Sequence, residues 1–590
     1  METLIETRVC KKCSVQFPIT DRDVQFYDSV SPVIAGNKFS IPLPTLCPIC
    51  RSQRRWNWRN ERNLYWRKCD KTGKDILSVF SPDKPYTVYS EEAWYQDDWD
   101  PLSYGRDFDF SRGFFEQFND LLKVVPQNAR SVVGNTNCEY INQAGWCKNC
   151  YLVFEVTSNE DCAYANYLNR CKNCLDQLQV RDSELCYECV NCKNCYDLRF
   201  SQDCDNCSES WFLKACIGCK NCFGCVNLRN KQYHIFNQAY SKEDYYKKLQ
   251  EYNLESRATI LNIFNQFVTY SQQFPAKYIH GIQNENSTGD YLNNTQNCSY
   301  CFDALNVQDS KYLFNVFNAK ESYDVTVFGG EKGFEFCYEC HEIGDGSRNL
   351  LFTDQSWGGL YNIMYSKLCI NNCHDLFGCI GLKHKEYCIL NKQYTKEEYE
   401  KLVPRIVEHM GGTLIVDRLS NQGNESNDMN DKRQTINASE WGEYFPANMS
   451  PFGYNETIAQ EHYQLDKDRA ISQGFKWFDE VKKDYQKTDF QVPDLSSQIP
   501  EDVLTRLFTC TSCEKNFKVV KMEIDFYKKM KLPLPVKCHN CRHYDRMKLR
   551  NPWKLNSRNC SKCQMSLQSS YPADTKNPVY CEKCYLEITE

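Results

Sequence analysis

Between Cys138 and Cys225 the small, weakly polar positions follow neither the period of two of a flat strand nor the 3.6 of a helix. Sixteen cysteines fall in this stretch, and every one has a residue number divisible by three. Strand pleating switches faces at every residue, so keeping i and i+3 on one side requires a bend. The intervening residues are rich in Asn, Tyr, Phe, Val and Ser, and CKNC begins at Cys147, Cys171, Cys192 and Cys219, at intervals of 24, 21 and 27. Units this short are too small for paired helices and predict single coils of a β-solenoid.

A second array runs from about Asn297 to Leu390 and matches the first at an offset of 154, with Cys147, Cys186, Cys219 and Cys225 meeting Cys301, Cys340, Cys373 and Cys379. Each array runs into a helical pattern opened by Ser241 or Thr395, with Asp244 or Glu398 three residues later, the signature of a capped helix start. These helices are expected to close the open ends of the solenoids. A short amphipathic helix is expected over Arg257–Tyr270. In class, the arrays resemble right-handed β-helices. The second array has eight cysteines, and several partners of first-array cysteines at that offset are aliphatic, such as Leu292, Val316 and Val325. That exchange favours thiols as interior filler over metal ligands or redox groups.

The two ends carry paired CxxC knuckles, the spacing that supplies four thiolates to a tetrahedral ion. The expected metal ligands are Cys10, Cys13, Cys47 and Cys50, then Cys510, Cys513, Cys538 and Cys541, then Cys560, Cys563, Cys581 and Cys584. These modules resemble zinc-ribbon and treble-clef families in general, and the resemblance implies about three Zn2+ per chain. At an offset of 491 residues Cys47, Cys50 and Cys69 fall on Cys538, Cys541 and Cys560, and at 500 Cys10 and Cys13 fall on Cys510 and Cys513. The ends therefore read as two copies of one module. In the N-terminal copy Thr72, Ser90 and Ala93 replace three ligands of the last site, so Cys69 is expected to be a leftover thiol.

After the second knuckle each copy has Arg at i, i+4 and i+8: Arg51, Arg55 and Arg59, and Arg542, Arg546 and Arg550. On a helix such residues share one face. With Trp56, Trp58, Tyr65 and Trp66 interleaved, the N-terminal stripe suggests contact with nucleic acid or a ribonucleoprotein through phosphates and stacked bases. The competing reading pairs these arginines with acidic groups of the same chain. The acidic segment Trp94–Asp109 is one candidate source, or else a solvated surface.

Composition bounds the rest. The chain has 590 residues, a formal charge of -6 and 37 cysteines, an odd number that leaves at least one thiol outside any all-disulfide scheme. A near-neutral total confines any polyanion site to a local patch. No long apolar run predicts a membrane span, and the start METLIETRVC lacks the pattern of a secretory signal, so a cytoplasmic protein is expected. No phosphate-binding Gly loop, nucleophile elbow or HExxH helix occurs, which argues against an enzyme. The fold class expected is mainly β and multidomain, a duplicated β-solenoid with capping helices flanked by duplicated zinc-ribbon modules. The segments are 1–135 (first ribbon module), 136–250 (first array and cap), 251–296 (helical connector), 297–420 (second array and cap), 421–440 (linker), 441–500 (helical or irregular) and 501–590 (double ribbon module). The function expected is a non-catalytic zinc-binding scaffold or adaptor. Two alternatives are a thiol-rich metal store or redox protein, and a platform for protein partners on the solenoid faces.

Overall fold

The computed structural model describes residues 2–415, 440–480, 484–486 and 488–589, with side chains left out over 413–415. The linker expected over Asn421–Ser439 lies outside the described residues. The chain forms two compact units, each assembled from stretches far apart in sequence: Met1–Ala129 with Ile279–Phe478, and Arg130–Tyr278 with Asp479–Glu590. The fold is mainly β, with two solenoid arrays, each of parallel strands, and cysteine modules near the termini. The first module shares a unit with the second array, and the last with the first array.

In the first array every turn takes 12 residues. Tyr151 pairs in parallel with Ala163, and Asn166 with Leu178. The intervals of 24, 21 and 27 between CKNC tetrapeptides are therefore not coil lengths. Every third residue from Asn137 to Ala215 is left-handed, with φ between 47° and 60°, Asn149, Asp161, Asn173 and Asp176 among them. Four left-handed corners thus bend each turn into four three-residue sides. Asn and Asp pay least for that backbone among residues with a Cβ. The residue after each corner points inward, and this is the position that holds cysteine. The bend inferred from period three is this corner.

Each inward thiol also has polar work. Cys162 Sγ donates to the Glu160 carbonyl at 3.3 Å, and Cys189 Sγ to that of Tyr187 at 3.5 Å. Where serine stands inward it does the same, Ser183 Oγ reaching the Arg181 carbonyl at 2.7 Å. A small side chain with one donor thus serves corner carbonyls that would otherwise be buried with fewer partners.

The second array has the same build with unequal turns. Its first turn takes 11 residues and the next ones 12, the turn from Tyr323 to Tyr338 takes 15, and three successive 13-residue turns lead from Tyr338 through Leu351 and Met364 to Phe377. The offset of 154 consequently holds only at the array's end. Asn149 donates to Asp161 at 2.9 Å as Asn297 does to Asp309 at 3.0 Å, which sets the offset at 148 near the start. At that offset Cys162 and Cys174 meet Ser310 and Ser322, not aliphatics. Both serines donate to the carbonyl two residues back, at 2.7 and 2.8 Å.

The first strands lie at Val132–Val133 and Gly281–Glu285. The closing helices Lys242–Gln250 and Lys396–His409 begin at the expected caps, Ser241 accepting from the Asp244 N–H and Thr395 from that of Glu398. The connector helix spans Arg257–Ser271. Among the described residues no helix is long and apolar enough to cross a membrane.

Candidate metal centres

The duplicated modules correspond element for element in sequence order. Helices Asp21–Val30 and Lys521–Met530 match at offset 500, and at 491 helix Pro48–Trp56 matches His539–Met547 while hairpin Tyr65–Lys68/Asp75–Ser78 matches Asn556–Asn559/Ser566–Ser569. Each first knuckle closes on a left-handed residue, Ser14, Glu514 or Gln564, whose N–H reaches back to the carbonyl of the first cysteine. Each second knuckle of the paired helices begins at the N-cap, Cys47 or Cys538, so two of the four sulfurs sit on a helix start.

Three groups of four sulfurs result, each with all four atoms within 4.8 Å of one another: Cys10, Cys13, Cys47 and Cys50; Cys510, Cys513, Cys538 and Cys541; Cys560, Cys563, Cys581 and Cys584. Cys13 and Cys47 stand 3.6 Å apart, Cys513 and Cys538 3.7 Å, and Cys563 and Cys581 3.7 Å. Four thiolates about 2.3 Å from a central ion are separated by about 3.8 Å, whereas a disulfide brings two sulfurs to about 2.05 Å. The groups therefore fit a tetrahedral ion. The Cys50 thiol beside it and, against the cost of burial, the Cys50 backbone N–H hold the Cys47 thiol down to about 5. Such a thiol gives up its proton readily to a metal.

The fourth knuckle is an empty frame. Cys69 is buried and belongs to no group of metal-ligating residues among those described. It keeps its backbone: the Ser90 N–H reaches Cys69 Sγ at 3.3 Å, as the Cys581 N–H reaches Cys560 Sγ at 3.3 Å. Ile76 and Val79 share its apolar core.

The arginine stripes are not on the surface. Arg51, Arg55, Arg59, Arg542 and Arg546 are all buried. Arg51 pairs with Asp324 at 2.8 Å, Arg55 stands 3.2 Å from Asp324 and 3.1 Å from Glu339, and Arg59 stands 3.1 Å from Glu342 and 2.5 Å from Glu61. In the other unit Arg542 reaches Asp176 at 3.0 Å and Glu523 at 3.2 Å, while Arg546 reaches Asp176 at 2.9 Å and Glu188 at 3.0 Å. Arg550 is half-buried. Trp56 and Trp58 are also fully buried. The expectation that Arg51, Arg55, Arg59, Arg542 and Arg546 face phosphates is corrected: their partners Asp324, Glu339, Glu342, Asp176 and Glu188 are carboxylates on outward corners of the solenoid sharing their unit, joined by Glu61 and Glu523 of the modules themselves. Desolvated guanidinium groups demand such partners, and the corner positions that favour Asp also present it outward.

The two clamps are copies as well. Arg51 lies over the Tyr312 ring at 5.2 Å and Arg542 over Tyr164 at 4.8 Å. The same guanidinium groups bond the carbonyls of Leu46 and Lys537. Sequence reasoning missed the carboxylates, and a constant offset of 154 hid their equivalence. It also assigned nothing to Glu443, which bonds Arg54 at 2.7 Å. The acidic segment Trp94–Asp109 does not serve the stripe: Asp98 pairs with Lys71 and Asp107 with Lys392.

Among the described residues the array cysteines form no group of three or more ligands. In the second array burial pushes Cys340 and Cys373 up to about 11 and Cys337, Cys369 and Cys379 well above the usual thiol range, whereas in the first array neighbouring thiols hold Cys150 down to about 4 and Cys186 to about 5. Thiols held protonated are poor nucleophiles and poor ligands.

No family model matches the chain, and no curated protein matches it. Among the solved structures that match, one titled a putative acetyltransferase from Desulfovibrio desulfuricans G20 is 8% identical, with 48% of this chain and 83% of that chain covered, at a TM-score of 0.11. A likeness of that order says nothing of what this chain does.

Proposed function

We propose that the protein is a non-catalytic scaffold in which zinc fixes a helix that clamps a solenoid. One observation carries this reading. In each unit the helix begins on two sulfurs of a four-cysteine group, and the residue right after its second sulfur, Arg51 or Arg542, is buried against a solenoid carboxylate at 2.8 or 3.0 Å. An ion at the four sulfurs orders the helix start, and the ordered helix delivers its arginines in register. Zinc supplies no chemistry here beyond the cross-link, since all four positions are taken by cysteine. The solenoid faces left outside the clamps are the surfaces for partners.

Metal content of the purified chain tests the reading, with hydrogen exchange before and after chelation. The expected result is about three zinc ions per chain, and loss of exchange protection in Pro48–Trp56 and His539–Met547 when they are removed. Protection unchanged by chelation refutes the clamp. Metal clearly in excess of the three groups moves the function to the array thiols and supports a metal store instead.

A further inference from the structure

In the unit built from Arg130–Tyr278 and Asp479–Glu590 a cleft of about 570 Å³ opens between the array and helix Lys521–Met530. Its array wall is a row of corner residues, Asn137, Asn149, Asp161 and Asn173. Asn137 donates to Asn149 at 2.8 Å and Asn149 to Asp161 at 2.9 Å. Glu139 and Asp525 add carboxylates, Tyr151 and Phe526 add rings, and Lys521 and Lys529 are the cations present. Lys521 is already paired with Asp525 at 2.7 Å.

The other unit shows what belongs in such a place. There Asn297 donates to Asp309 at 3.0 Å, the counterpart of the Asn149–Asp161 bond. Helix Asp21–Val30 lies alongside, and Arg22 drives its guanidinium into the gap. It donates to the Asn297 carbonyl at 2.7 Å and stands 3.5 Å from Asp309 and 3.6 Å from Glu2. At the offset of 500 that relates the two helices, Arg22 falls on Met522, which lines the cleft and carries no charge. The receptor for a guanidinium is kept in the second copy, while the guanidinium is gone.

We propose that this cleft binds an arginine side chain of a partner polypeptide, seated as Arg22 is seated in the sister unit. The planar fork bonds the Asp161 carboxylate and the Asn149 carbonyl, and Tyr151 offers a ring face to the cation. The cleft is larger than one side chain, and its long wall follows the row of corners. An extended segment flanking the arginine therefore has room along it. A lysine in the same place is a poorer fit, because a point charge cannot address carboxylate and carbonyl together.

The test uses the full-length chain and the peptide acetyl-Gly-Gly-Arg-Gly-Gly-amide, followed by calorimetry or by amide shifts. Saturable binding is expected, with at least about tenfold weaker binding by the citrulline peptide, which keeps the shape and loses the charge. Asp161→Asn, which can keep the bond from Asn149, is expected to weaken binding by a similar factor. Met522→Arg restores the sister arrangement and is expected to abolish binding, with an upward shift in the melting temperature. If Met522→Arg fails to fold, Asp161→Asn alone decides. No binding, equal binding of the citrulline peptide, or binding unchanged in Asp161→Asn overturns the proposal. Agmatine binding as tightly as the peptide also overturns it, since the cleft then takes a small amine and not a chain. Metal content is read separately, so failure here leaves the zinc reading standing.

Discussion

Asp176 is the residue on which one clamp turns. Its side chain is fully buried and accepts from Arg542 at 3.0 Å and from Arg546 at 2.9 Å. Asp176→Asn preserves shape and removes the charge. Arg542 then keeps Glu523 at 3.2 Å, and Arg546 keeps Glu188 at 3.0 Å. Two buried cations would share two carboxylates where three stood before. Breaking one partner out of a buried ion network costs about 3–5 kcal/mol, because a desolvated charge is left under-compensated. For a unit of this size each kcal/mol moves the melting temperature by about 2–4 °C, so a fall of about 6–20 °C is expected. The control is Glu209→Gln, which removes an exposed pair with Lys220 spaced at 3.3 Å. Pairs of that kind are worth about 0–1 kcal/mol. Thermal melting and urea unfolding of the zinc-loaded chain, with a double-mutant cycle against Arg546→Met, measure the coupling. If Asp176→Asn melts with Glu209→Gln, the arginines are not held by this carboxylate and the clamp argument fails.

Three further outcomes follow from the same reasoning. Cys162→Ser, the exchange seen at Ser310, is expected to leave stability nearly unchanged, whereas Cys162→Ala leaves the Glu160 carbonyl with the Asn173 N–H at 3.0 Å alone and costs about 0.5–1.5 kcal/mol more by urea unfolding; equal effects would show that the thiol is only filler. Burial, against the pull of Arg546 and with the push of Asp176, raises Glu188 to about 7. A carboxyl raised in the folded state adds stability that is fully present below its unfolded value of about 4.3 and is lost as pH rises through 7; Glu188→Gln should therefore flatten the pH dependence of melting across that window, and an unchanged slope contradicts the assignment. The triple change Thr72→Cys, Ser90→Cys and Ala93→Cys should create a fourth metal site on the retained Cys69 frame, read as one extra zinc per chain, and no added zinc would mean the frame has closed.

Much of the architecture was written in local chemistry. Period three is a property of one corner and one inward position, so the array was legible from Cys spacing alone, and the preference for Asn or Asp just before each cysteine marks the corners themselves. The knuckles were equally legible, because CxxC fixes two sulfurs within one turn, and the internal offsets of 491 and 500 paired the modules residue by residue. Turn length was not legible in the same way. A 12-residue coil is set by hydrogen bonds between neighbouring turns, and CKNC recurs on different sides of the coil, so its intervals of 24, 21 and 27 mixed full turns with single sides.

The arginine stripes show where sequence stops. Arg51 and Arg55 share a face of helix Pro48–Trp56, as their spacing determined, whereas the helix stops before Trp58 and Arg59, which the same spacing had placed on it. Whether the face meets phosphates or Asp324, Glu339 and Glu342 depends on residues more than 260 positions away. Only the tertiary structure brings the first module to the second array and the last module to the first. A charge pattern states what a surface can bind, and burial decides what it has already bound: once desolvated, each guanidinium must find a carboxylate inside its own unit. The same logic leaves Met522 where Arg22 would be, a difference visible in one letter whose consequence appears only when the two clefts are seen in place.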